Sequence, residues 1–223
     1  MNSVAVLMIP RKRGVSMEML ESAARRWIHW MFVAVGVALS ILAFGLARRQ
    51  TWATRLWPWD DQRMTYIFLA SILMAIAVPM LWVGLTRDIA AFEPISLEIG
   101  VVSLGIGGYF ALRWWRHDES DLVRHVAAAV LTGIVALVLS RLSGSIALND
   151  RREMPRYVRI SCLIFLFVLI PIGTALTVQS SDNFPWELLP QTSTVIGLIF
   201  LGSALLFAWI WFHPKWAYAE IAL

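Results

Sequence analysis

The chain has 223 residues, of which 59% are apolar and 15% are charged, and its formal net charge is +4. A soluble domain of this length exposes too much surface to carry so few charges, so an ordinary water-soluble protein is excluded. The small, dispersed positive charge does not indicate nucleic-acid binding, and the single cysteine excludes a disulfide within this sequence. Apolar blocks of about 20 residues instead predict an all-α integral membrane protein.

The N-terminal segment, residues 1–26, precedes the first apolar block. Its apolar stretch VAVLMIP comes before the basic RKR, which is the reverse of the order in a cleavable signal peptide. From Ser16 onward apolar residues recur at helical spacing, so we expect an amphipathic helix over 16–26 that lies at the membrane surface. The alternative is that translation begins at Met17.

Six apolar blocks follow, and they predict six transmembrane helices in one bundle within a membrane domain over 27–216. The linkers are too short to hold a soluble domain, and residues 217–223 are expected to form a short C-terminal tail. The predicted spans are 27–47, 64–86, 95–114, 125–140, 160–178 and 192–212.

The basic residues predict the orientation of the bundle. With a cytoplasmic N-terminus, twelve of the 19 basic residues fall in cytoplasmic segments, and the loop over 179–191 on the opposite side has none. We therefore expect both termini to be cytoplasmic, although Arg48 and Arg49 oppose this orientation. The preference for arginine over lysine is typical of a GC-rich bacterial genome, so the expected location is a bacterial inner membrane.

Two similar turns separate the first pair of spans and the last pair. RLWPWDDQR follows the first span, NFPWELLPQ follows the fifth, and FLAS at 68–71 and FLGS at 200–203 come after them. These matches predict a parallel repeat of helical hairpins, formed by spans 1–2 and 5–6. Each turn is expected to end one span and start the next, with its tryptophan rings at headgroup depth. The turn residues are Trp57, Pro58, Trp59, Phe184, Pro185 and Trp186.

The stretch FPWELLPQTSTVIGLIFLGSALLF places such a turn before a glycine-containing span. In this respect it resembles bacterial multispan membrane proteins with a Trp-Pro-Trp loop. The resemblance implies a bacterial membrane protein, and it carries no known activity.

Two sets of ionisable residues are candidates for chemistry. Two histidines near each face of the membrane could ligate haem iron through their imidazoles, although a histidine ring also suits an interface. Glu93 and Glu98 are candidates for an ion or proton site, although acids near a helix start are favourable without any ligand. The sequence requires no cofactor and no metal. The histidines are His29, His213, His117 and His125.

Local packing is predicted from small residues and one proline. Small residues at four-residue spacing predict close contact between the third and fourth spans. Pro171, which is followed by Gly173 and Thr174, predicts a kink in the fifth span. The small residues are Ser103, Gly107, Ala111, Ala128, Thr132 and Ala136.

The function predicted from these observations is a non-catalytic accessory, assembly or structural subunit of a larger membrane complex. Polar groups within the spans are few, and most of the twelve tryptophans fall near predicted interfaces. The alternatives are a small-solute or ion transporter built from the repeats, and a haem- or quinone-linked redox protein. The expected partners are the lipid bilayer and either another membrane protein or a second copy of this chain.

Overall fold

The computed structural model describes residues 13–179 and 185–222, with side chains from Trp27 onward. The regular elements of these residues are helices, and six of them are long and apolar enough to cross a membrane. The all-α class and the six spans are therefore confirmed. The helices are α1 (Arg13–Ala47), α2 (Thr51–Thr54), α3 (Arg63–Thr86), α4 (Glu93–His117), α5 (Val123–Gly144), α6 (Arg156–Thr177), α7 (Pro190–Phe212) and α8 (Trp216–Ala222).

Consecutive spans pack as three hairpins, α1 with α3, α4 with α5, and α6 with α7. Helix α4 also packs against α7 and so joins the second and third hairpins. Over the described residues, α3 has few backbone contacts with α4 or α7, because a cavity separates them. We call the end of the bundle with the 48–62 loop the tryptophan end, and the end with α8 the C-terminal end.

Helix α1 is continuous over its 35 residues, so the helix predicted over 16–26 runs directly into the first span. A helix of that length rises about 52 Å, whereas the hydrocarbon core of a bilayer is about 30 Å thick. Part of α1 therefore extends beyond the hydrocarbon. A position of that part at the membrane surface stays a prediction.

Glycines allow α4 and α5 to approach each other closely. A Cβ atom on Gly133 would lie 2.7 Å from Cγ of Leu104 and 3.1 Å from the carbonyl oxygen of Gly100. A Cβ atom on Gly100 would lie 2.6 Å from Cδ2 of Leu137. The two helices pack at this distance because neither glycine has a side chain, as in other close helix pairs in membranes.

The small-residue stripe predicted for this contact is only partly at the interface. Gly107 and Ala136 are buried, but Thr132 is exposed. Ser103 and Ala128 line the cavity. At Thr132 the helix crossing places the neighbouring Gly133 between the helices instead. A packing role for the whole stripe stays a prediction.

Helices α6 and α7 also approach closely at glycines. A Cβ atom on Gly197 would lie 2.5 Å from the backbone nitrogen of Thr177, and one on Gly173 would lie 3.1 Å from the carbonyl oxygen of Gly197. Pro171 lies within α6, which continues as α-helix to Thr177. A bend of the helix axis there stays a prediction.

Helix α8 occupies most of the segment expected to be a short tail. The backbone nitrogen of Trp216 donates to the carbonyl oxygen of Arg152 at 2.9 Å. The hydroxyl of Tyr218 donates to Oε2 of Glu93 at 3.1 Å. Tyr218 and Ile221 are buried on one side of α8, so the helix packs under the bundle and closes its C-terminal end.

Candidate functional site: an intramembrane cavity

The two similar turns meet at the tryptophan end. Nε1 of Trp186 donates to Oγ1 of Thr65 at 3.3 Å. Oγ1 of Thr192 donates to Oδ2 of Asp61 at 2.5 Å, and Nε1 of Trp57 donates to the same oxygen at 2.9 Å. These side chains therefore join the first hairpin to the third.

The repeated FLAS and FLGS stretches also contact each other. The rings of Phe68 and Phe200, which are matching positions of the two stretches, lie edge to face at 6.0 Å. Trp186 lies against the same Phe68 ring, also at 6.0 Å. Residues that match in the sequence thus lie side by side where the two hairpins meet. Phe184, which begins the second predicted turn, lies outside the described residues.

The first turn folds onto the bundle. Trp57 and Trp59 are partly buried, and their rings lie edge to face at 5.8 Å. Trp59 packs in the same way against Phe110 of α4, at 5.6 Å. The hydroxyl of Tyr66 accepts a hydrogen bond from the backbone nitrogen of Asp61 and donates one to the carbonyl oxygen of Trp59, both at 3.3 Å. These contacts make the turn a cap over the helices.

The two neighbouring aspartates of this turn have different environments. Asp61 is 6% exposed, and its Oδ1 has no hydrogen-bond partner among the described residues. Burial raises the pKa of Asp61, and the hydrogen bonds from Thr192 and Trp57 partly offset that effect. The side chain of Asp60 is 93% exposed, 4.0 Å from Arg49. Asp61 is therefore the acid that joins the hairpins.

A cavity of about 910 Å³ lies between the first hairpin and helices α4 and α7. Its volume is in the range of small-molecule binding sites, which is roughly 300–1,000 Å³. Trp57 and Pro58 line it at the tryptophan end, and Ile95 and Ile221 line it at the C-terminal end. The cavity is thus bounded at both ends of the bundle.

The cavity opens sideways. Met74 and Phe165 lie near the middle of α3 and α6, both line the cavity, and both are exposed. The middle of a membrane span lies at the depth of the lipid chains. The cavity is therefore accessible between the two ends of the bundle, at the depth of the lipid chains.

One carboxyl group interrupts the apolar lining. Glu98 of α4 and Ser203 of α7 both line the cavity, and Oγ of Ser203 donates to Oε1 of Glu98 at 2.6 Å. Gly202 allows this contact, because a Cβ atom there would overlap Cγ2 of Val102 on α4. Glycine at this position therefore lets α7 approach α4 closely enough for the serine to reach the carboxyl.

The two glutamates that the sequence grouped together have separate roles. Glu93 holds the C-terminal end together: its carboxyl accepts a hydrogen bond from Tyr218, and its carbonyl oxygen accepts one from Oγ of Ser140 at 3.1 Å. Glu98 faces the cavity. An ion or proton site at either residue stays a prediction.

The four histidines have local environments that differ from one another. His213 stacks on Trp209 with ring centroids 4.1 Å apart, and His125 lines the cavity near the tryptophan end. His29 is partly buried within α1, and His117 is exposed at the end of α4. Over the described residues, no group of three or more His, Cys, Asp and Glu is arranged to hold a metal ion. Haem ligation stays a prediction.

The sequence indicated only some of these site residues. It singled out Glu98, but it did not pair this residue with Ser203, which is 105 positions away. It also gave no indication of the hydrogen bond between Asp61 and Thr192. The repeated FLGS stretch was the available signal, because it contains both Gly202 and Ser203.

Comparison of the chain with protein-family models, curated proteins and solved structures found no match. The resemblance to bacterial proteins with a Trp-Pro-Trp loop stays a prediction. A functional proposal therefore depends on the geometry of the cavity.

Proposed function

We propose that this multispan membrane protein binds an apolar or single-chain amphiphilic molecule in its intramembrane cavity. The observation that carries the proposal is the cavity itself, about 910 Å³ in volume, bounded at both ends and open toward the lipid chains. Its lining is mainly aliphatic and aromatic, which matches the usual composition of small-molecule sites.

The physical argument concerns what fills such a space. Protein interiors are close-packed, and atoms that line an empty space lose their dispersion contacts. A void of this size next to lipid chains is therefore occupied by apolar matter. The apolar lining gives less support to the transport of a hydrophilic solute, which would need polar groups along its path.

The test uses the purified protein in phosphatidylcholine nanodiscs and a photoreactive alkyl diazirine as the probe. We expect saturable labelling of lining residues such as Met74 and Phe165, mapped by mass spectrometry and reduced by an excess of unlabelled dodecanol. Ser103→Phe should weaken this labelling, because Ser103 lines the cavity. Gly108→Phe is the matched control on the same helix, because a Cβ atom there meets nothing within 4 Å.

Two results would contradict the proposal. One is labelling spread evenly over the lipid-facing surface without saturation. The other is equal labelling of the Ser103→Phe and Gly108→Phe variants, since filling the cavity would then have no effect.

A subunit role in a larger complex is a second candidate. The apolar segments of α5 and α6 are each 17% buried, compared with 39% for α7, so both helices leave broad faces for contact with lipid or a partner. Purification in a mild detergent tests this role. A second protein in fixed stoichiometry would support it, and the chain alone would count against it.

A further inference from the structure

The carboxyl group of Glu98 provides the cavity with a means of selecting its ligand, an inference that rests on the function proposed above. Among the described lining residues, Glu98 and His125 are the ionisable side chains. Ser203 satisfies Oε1 of Glu98, but Oε2 has no hydrogen-bond partner among the described residues. Glu98 also forms no salt bridge there. The cavity thus contains one acceptor oxygen that is available to a ligand.

A carboxylate among apolar groups is costly without a partner. A hydroxyl can donate one hydrogen bond to it, whereas an ammonium group donates a hydrogen bond and also neutralises its charge. Both hydrogen bonds are charge-assisted because the acceptor is ionised, but only the ammonium group adds the Coulombic attraction of an opposite charge. A second carboxylate in the ligand would be repelled. These differences rank possible head groups as amine, then alcohol, then carboxylate.

The remaining length of the cavity accommodates the chain of such a ligand. Glu98 lies in the second turn of α4, near the C-terminal end, and Phe110 lines the cavity twelve residues further along the same helix. The helix rises about 18 Å over that distance. Apolar side chains such as Ile99, Val102 and Ile106 line the cavity between them.

We infer that the site selects single-chain amphiphiles with a protonated primary amine, whose head group binds at Glu98 while the chain extends toward the Trp57–Pro58 turn. Ser203 is a positioning residue in this arrangement, because its hydrogen bond holds one carboxyl oxygen and leaves the other directed to the ligand.

The test is competition against the photoreactive alkyl diazirine in phosphatidylcholine nanodiscs at about pH 7, where an alkylamine is protonated. The competitors are dodecylamine, dodecanol and dodecanoate, which differ only in head group. We expect dodecylamine to compete about 10-fold more strongly than dodecanol, and dodecanoate to be the weakest. Equal competition by all three on the unmodified protein would overturn the inference without the need for any variant.

Glu98→Gln tests the role of the residue itself. Its amide oxygen can still accept the hydrogen bond from Ser203, and the thermal stability of the variant in the same nanodiscs shows whether it folds. We expect dodecanol competition to be retained and the advantage of dodecylamine to be lost. A folded variant that keeps this advantage would overturn the inference, whereas failure of every competitor on the unmodified protein would overturn the proposed function as well.

Discussion

Removal of the Asp61 carboxyl should weaken the joint between the first and third hairpins. Asp61→Ala removes the acceptor of the hydrogen bonds from Trp57 and Thr192, and the Thr192 side chain is fully buried. Each lost hydrogen bond costs about 1 kcal/mol, and a buried hydroxyl left without a partner costs at least about 1 kcal/mol more. We therefore expect the free energy of unfolding to fall by about 3 kcal/mol.

The assay is reversible unfolding in mixed micelles, followed by circular dichroism. Asp60→Ala is the matched control, since its side chain is 93% exposed, and an exposed ion pair contributes about 0–1 kcal/mol. A double-mutant cycle with Thr192→Val should give a coupling energy of at least about 0.5 kcal/mol, because the two side chains are in contact. The assignment of Asp61 as the joint would be refuted if Asp61→Ala and Asp60→Ala had the same free energy of unfolding. It would also be refuted if the double-mutant cycle gave no coupling energy.

Three further measurements follow from the structure. Burial raises the pKa of Asp61 above its ordinary value of 3.8, so stability should fall as the pH rises from 3.8 through the raised pKa, and Asp61→Asn should flatten that dependence in the same unfolding assay. Gly202→Ala should cost about 1–3 kcal/mol by separating α4 from α7. Gly108→Ala should be neutral or stabilise by up to about 1 kcal/mol, as thermal melting would reveal. Tyr218→Phe should cost about 1 kcal/mol by removing the hydrogen bond to Glu93, and hydrogen exchange in α8 should become faster; unchanged exchange would count against this contact.

The features predicted correctly are those that depend on local sequence. A run of apolar residues long enough to cross a bilayer is a property of consecutive positions, so all six spans were predicted. The fourth, predicted over 125–140, is longer at both ends and covers Ser120–Gly144. Helix α8 was missed because its seven residues are too few to show a helical pattern without the bundle to pack against. Its stability comes from contacts with residues distant in the sequence, such as Glu93.

The site is formed by contacts between residues that are far apart in the sequence, and the sequence pattern does not indicate which of them meet. Spacing along α4 identified small residues, but whether Ser103 contacts α5 or lines a cavity depends on how the helices cross. In the same way, the interfacial interpretation of the first turn accounted for Trp57 without the bond to Asp61, whose partner Thr192 is 131 positions further along the chain. Pairings across such separations come from tertiary packing.

The attachment of the first hairpin has a mechanical consequence. Asp61 and Thr192 hold it at the tryptophan end, and the contacts of α3 with α8 hold it at the C-terminal end, while little protein lies between. Between these two ends the first hairpin faces a cavity and not α4 or α7, so contacts at its ends set the width of the lateral opening. A substitution that loosens the contacts at either end should therefore change that width without breaking any backbone hydrogen bond within a helix.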